Sequence, residues 1–123
     1  SAQEGERYSV MVRAAKSEIS DGSAAFPAAD AEETVYIVGL YNGNASTATI
    51  SESNAAGSAA DSSPQFQIKL KSGDSYTPAV PVALREGRKI HCTQADVTCN
   101  YVLEGGPAFT GPAGLVGTAT SYS

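Results

Sequence analysis

The residues able to do chemistry are few and lie close together. His91, Cys92 and Cys99 are the only imidazole and thiol groups in the chain, and Arg85, Arg88 and Lys89 stand just ahead of them. A metal centre is the first chemistry such a group suggests, because zinc takes thiolates and imidazoles. In an extended strand, however, His91 and Cys92 point to opposite faces, so one ion cannot take both without a bulge. The same parity separates imidazole from thiol in a nucleophile–base pair, which must sit within hydrogen-bond reach. A Ser–His–Asp triad would also have to use His91, and the chain has no Gly-x-Ser-x-Gly elbow to present a serine. Glu32 and Glu33 are adjacent carboxylates among loop residues and read as solvated surface, not as an acid–base pair. Gly111, Gly114 and Gly117 lack the spacing and the strand-to-helix setting of a phosphate-cradling loop. No catalytic residue, cofactor or metal is expected, and the chain is not read as an enzyme.

Two binding features survive. If Ala95-Asp96 forms a hairpin tip, Cys92 lies directly opposite Cys99, with Cα atoms about 4.5–5.5 Å apart, inside the ~4.4–6.8 Å span of a disulfide. A cross-strand disulfide and two reduced cysteines packed as small apolar residues are both open readings of that pair. Arg85, Arg88, Lys89 and His91 form the one basic group in a chain of net charge -5. They read either as a solvated turn or as a contact for an acidic partner surface.

The elements that must position these residues are short and extended. Residues 34–41 (Thr-Val-Tyr-Ile-Val-Gly-Leu-Tyr) are apolar on both faces, as in a central strand. Asn42-Gly43 then predicts a hairpin, with residues 47–53 returning and pointing Ala48 and Ile50 inward. Residues 54–64 are small and polar, an exposed connection. In 65–71 the alternation is clean: Phe66, Ile68 and Leu70 share one face, and Gln65, Gln67, Lys69 and Lys71 the other. Residues 78–84 carry two prolines and suit an edge strand or a crossover. Near the start, 7–13 alternates as a strand, with a helix over 4–19 as its rival and a turn at Asp21-Gly22. Residues 105–123 are rich in Gly, Pro, Ala, Ser and Thr, with Phe109, Leu115 and Tyr122 scattered through them, and read as an extended arm. Short strands punctuated by turns predict an all-β, antiparallel β-sandwich, immunoglobulin-like or jelly-roll-like, with extended arms at both ends. The expected divisions are 1–33 (arm and first strand), 34–104 (sandwich core) and 105–123 (arm).

Bulk properties narrow the function classes. A chain of 123 residues suits one core. With 8 basic residues and a pI near 4.7 it is no candidate for nucleic acid, which needs clustered cations. No stretch approaches the ~18–20 apolar residues of a membrane span. The opening Ser1-Ala2-Gln3-Glu4 has no basic-then-apolar leader. Without tryptophan, an aromatic platform for carbohydrate is hard to assemble.

Over residues 34–105 the order of features resembles a known group. The apolar strand ends in Asn42-Gly43, and the run Ala45-Ser46-Thr47-Ala48-Thr49-Ile50 follows. After a small-residue insertion come Phe66-Gln67-Ile68-Lys69-Leu70, the turn through Ser72-Gly73-Asp74, and Val80-Pro81-Val82-Ala83-Leu84. The basic turn Arg85-Glu86-Gly87-Arg88 and the strand Val97-Thr98-Cys99-Asn100-Tyr101-Val102 complete it. This is similar to the small β-sandwich virion proteins of tailed bacteriophages, of the capsid decoration or cement type. The Cys92/Cys99 pair and the long 53–65 linker depart from that pattern. The resemblance implies a structural protein made in the host cytoplasm and carried on the outer capsid surface. It further implies the major capsid protein as partner, a trimer as the favoured homo-oligomer, and stabilised contacts between capsomers. Residues 1–7 and 105–123, with Phe109, Leu115 and Tyr122, are the expected contact segments, beside Arg85, Arg88, Lys89 and His91. A secreted or surface-displayed adhesion module, or a phage tail or fibre component, is the alternative.

Overall fold

Among the described residues, alternating apolar and polar side chains generate eight strands, and backbone pairing sorts them into two antiparallel sheets. The computed structural model describes residues 15–29 and 31–105, which belong to the compact unit Ala15–Gly106. In chain order the strands are β1 (Lys16–Asp21), β2 (Glu33–Asn42), β3 (Ala48–Glu52), β4 (Gln67–Leu70), β5 (Ser75–Tyr76), β6 (Val82–Ala83), β7 (Ile90–Cys92) and β8 (Ala95–Gly105). One sheet runs β1-β8-β2-β5, with β6 also paired to β2; the other runs β4-β3-β7. The chain is thus the all-β antiparallel sandwich that its strand pattern predicts. The strand expected over 7–13 and the arm beyond Gly105 lie outside the described residues.

β2 holds the centre of the larger sheet, and a bulge explains its composition. Val35 and Ile37 face the core, the register slips between Ile37 and Gly39, and Leu40 and Asn42 then face inward instead. One extra residue reverses the side-chain parity, so a half-buried strand reads in sequence as apolar on both faces. Opposite it, Ala48 and Ile50 of β3, Leu70 of β4 and Ile90 and Cys92 of β7 fill the same core. Burying each isoleucine contributes roughly 1.5–3 kcal/mol. Phe66 and Tyr76 stack at a tilt with ring centroids 6.2 Å apart.

Both expected hairpins are corrected. β2 and β3 do not pair, because the chain at Asn42-Gly43 passes from one sheet to the other. Asn42 holds that passage: its Nδ2 donates to the carbonyls of Ser46 (2.8 Å) and Leu70 (2.9 Å), and its Oδ1 accepts from the Asn44 amide (2.9 Å). Gly43 is required for room, since a Cβ there would lie 2.9 Å from the Asp96 carbonyl oxygen. The second crossing joins β7 to β8 through Thr93 and Gln94, with Asp96 in the left-handed region at φ 62°. Cys92 therefore pairs with Ile50, while Cys99 pairs with Leu40 on one side and Glu18 on the other. The two cysteines sit in different sheets and are not cross-strand neighbours. Both are free thiols buried in the shared core. The cross-strand opposition that the hairpin reading required is not formed.

Candidate functional site

An acid at an inward-facing strand position organises the most polar part of the molecule. Ala48, Ile50 and Glu52 share the core-facing side of β3, so parity drives a carboxylate into the interior. A buried carboxylate needs cationic and hydrogen-bonding partners. Glu52 receives four donors. Its Oε1 accepts from Arg85 Nε (3.0 Å), Arg85 Nη2 (2.5 Å) and the Gln65 amide (3.0 Å), and its Oε2 accepts from the Arg85 amide (2.8 Å). Arg85 Nη2 also reaches Asp61 Oδ2 at 3.3 Å, and Arg88 Nη1 donates to Asp61 Oδ1 (3.1 Å) and the Ser53 carbonyl (3.0 Å). Two arginines and two acids thus clamp the 53–66 connection onto the turn that follows β6. Backbone bonds add to the clamp, including the Asp61 amide to the Glu52 carbonyl (3.0 Å) and the Ser53 amide to the Lys89 carbonyl (2.9 Å).

The electrostatics follow the geometry. Burial pushes the Glu52 carboxyl up, but the Arg85 guanidinium and the Arg85 and Gln65 amides outweigh it and hold it at about 2. The Ser63 amide, opposed by burial and helped by Arg88 and Arg85, holds Asp61 below its usual range. A carboxylate so fully donated to, and so far from neutral pH in its titration, is a fixed anion and not a proton shuttle. Burial pushes the Cys92 thiol up to about 12 and Cys99 higher still, so neither supplies a thiolate nucleophile at neutral pH. The Tyr101 hydroxyl donates to Glu18 Oε1 at 2.9 Å, and burial together with that carboxylate pushes it up to about 12.

The expected basic group is therefore not a single patch. Arg85 and Arg88 turn inward to Glu52 and Asp61. Lys89 lies over Gly57, where a Cβ would meet its Cδ at 3.0 Å, and forms one wall of a shallow cleft with Ala29, Ala31, Ala55 and Gly87. His91 sits on the outward face of β7, in register with Ser51 of β3. His91 Nδ1 and Ser51 Oγ are both buried without a hydrogen-bond partner. Phe109, Leu115, Tyr122 and residues 1–7 lie outside the described residues. Glu52 and Asp61 were absent from the sequence reading, although one signal was available. An acid in phase with Ala48 and Ile50 must find a cation, and two arginines were already in view.

The larger sheet offers a different surface on its outward side. Ile19, Thr98 and Tyr41 are register neighbours across β1, β8 and β2, with Ile19 66% and Tyr41 48% exposed. Tyr36 and Val102 are neighbours farther along the same face. Among the described residues no group of three or more His, Cys, Asp or Glu is placed to hold a metal ion. Comparison with protein-family models, with curated proteins and with solved structures returns no match to this chain.

Proposed function

We propose that the chain is a structural binding module that holds other proteins together, and specifically that it decorates the outer surface of a tailed-phage capsid. The observation that carries the binding role is the Ile19–Thr98–Tyr41 row, an exposed isoleucine and an exposed tyrosine flanking a threonine on the outward face of the larger sheet. Tyrosine is enriched where one protein grips another, because it brings a large rigid ring with a polar tip. The clamp supports the same role. It fixes the long 53–66 connection against the sandwich, so the module presents a preorganised surface and loses little entropy on binding. The finer reading, a virion protein contacting the major capsid protein, rests on the resemblance over residues 34–105.

Co-sedimentation with assembled capsids tests it. The purified protein should pellet with capsids of the phage that encodes it, and Tyr41→Asp combined with Ile19→Asp should weaken binding by about 30-fold or more, the size of a hot-spot loss. Wild-type protein left wholly in the supernatant would remove the capsid assignment. Full binding by the double variant would remove the outward face as the contact.

A further inference from the structure

One edge of the larger sheet is open among the described residues. β1 is the last strand of that sheet: β8 takes one side of it, and among the described residues no strand takes the other. Five of its six residues, all but Ser20, are exposed. An open strand edge is a template for another strand, and folded proteins blunt it with charged side chains, prolines, bulges or a covering segment. β4, an edge of the smaller sheet, follows that rule: it carries Lys69, and Lys71 just beyond it, with no acid between. β1 is charged too, and its register shifts beyond Ile19, but it places a cation and an anion two residues apart on one face, with Ser17 between them.

That spacing has a geometric consequence. When a strand pairs antiparallel with a copy of itself, the twofold axis passes beside one residue, and residues equidistant from it face each other. With the axis at Ser17, Lys16 of each copy opposes Glu18 of the other, giving two complementary cross-strand pairs. Moving the axis to Lys16 or to Glu18 sets like charges directly opposite, so among these three registers the charges favour the one at Ser17. The same register places Ile19, 66% exposed, against Ala15 of the second copy, covering apolar surface on the other face. Over Lys16–Ile19 the backbone of β1 is already extended and paired through β8, with its register shift only beyond Ile19, and Glu18, which accepts from the Tyr101 hydroxyl through Oε1, keeps acceptor capacity for a partner's lysine.

We infer that two copies of this chain associate through β1, edge to edge about a twofold axis at Ser17, so that the five-stranded sheet continues from one copy into the next. The association does not depend on the capsid assignment, and it is twofold where the phage resemblance implied a trimer, so a measured mass separates the two.

Sedimentation equilibrium on the full 123-residue chain, up to millimolar concentration, is the test. The wild type should fit a monomer–dimer equilibrium. Lys16→Glu, which sets acid against acid, should weaken dimerisation by about tenfold or more, as should Glu18→Lys. The double exchange Lys16→Glu with Glu18→Lys restores both complementary pairs and should bring the constant back to within about threefold of wild type. Unchanged far-ultraviolet circular dichroism in each variant shows that the sheet itself persists. Hydrogen exchange supplies a second readout, with outward-facing β1 amides gaining protection as concentration rises. A monomer at every concentration, a trimer, or a dimer indifferent to both single charge reversals would overturn the proposal.

Discussion

Glu52 shows how one side chain can be both a liability and a fixture. Its inward position would expel an unpaired carboxylate, and the four donors around it reverse that preference. Removing the carboxylate charge weakens four charge-assisted hydrogen bonds, while Arg85, 34% exposed, keeps Asp61 as a partner, so the cost stays at or below the low end of the ~3–5 kcal/mol for a fully buried pair. Glu52→Gln should therefore destabilise the fold by up to about 3 kcal/mol in urea denaturation at neutral pH. The pH dependence has a definite sign. The folded carboxyl titrates at about 2 against an ordinary value of 4.5, so its contribution is complete above about 4.5 and is lost as pH falls toward 2. Asp61 and Asp21 are lowered as well, the latter by the Ser23 and Ala24 amides, and they push in the same direction. Urea midpoints should fall steeply from pH 4.5 to pH 2 in the wild type and more shallowly in Glu52→Gln. Equal slopes would mean that the clamp does not keep Glu52 ionised.

At the scale of elements, the 53–66 connection behaves as part of the sandwich because side chains from another turn hold it. Asn54 Oδ1 accepts from the Ser58 amide (2.9 Å) and orders the tip locally, but its attachment depends on Arg85 and Arg88. Arg88→Ala should leave the strands intact while amides of residues 54–64 exchange faster by at least about tenfold, as expected when an anchored segment opens on its own. Exchange unchanged from wild type would assign the anchoring to the backbone bonds alone. The same elements show what the sequence could disclose. Strand identity was legible wherever parity was unbroken, as at Ile68 and Leu70 of β4 or Ala48 and Ile50 of β3. Strand partnership was not. Asn42-Gly43 and Ala95-Asp96 both look like two-residue hairpin tips, yet the first closes β2 and the second opens β8, each beside a crossing between sheets. Gly43 serves a close approach to Asp96, and Asn42 spends its amide on carbonyls 4 and 28 residues away. Tertiary contacts of that kind leave no local pattern. The clamp was half legible: its cations formed a visible group, while Asp61 sat in a stretch whose composition says only that it is exposed.

At the scale of the whole molecule, net charge and the outward face act against each other. The chain carries a net charge of -5 at neutral pH, and mutual repulsion opposes contact between molecules through the exposed Ile19 and Tyr41. Near the pI of about 4.7 that repulsion vanishes, while Glu52, titrating at about 2, still holds the fold together. A folded molecule with an apolar strip and no net charge is poised to associate through that strip. Light scattering should therefore peak near pH 4.7 with the native circular dichroism spectrum retained, and should decline again toward pH 3 as the molecule becomes positive. Ile19→Thr with Tyr41→Thr removes the apolar surface without altering charge at these pH values and keeps residues suited to a strand. The double variant should show a markedly smaller scattering peak at the same pH. Lys16→Glu, which spoils β1 pairing, lowers the pI and moves the peak to a lower pH, so the contributions of face and edge can be read separately. A peak of unchanged height in the Thr variant would show that the outward strip is not the surface through which this molecule holds others.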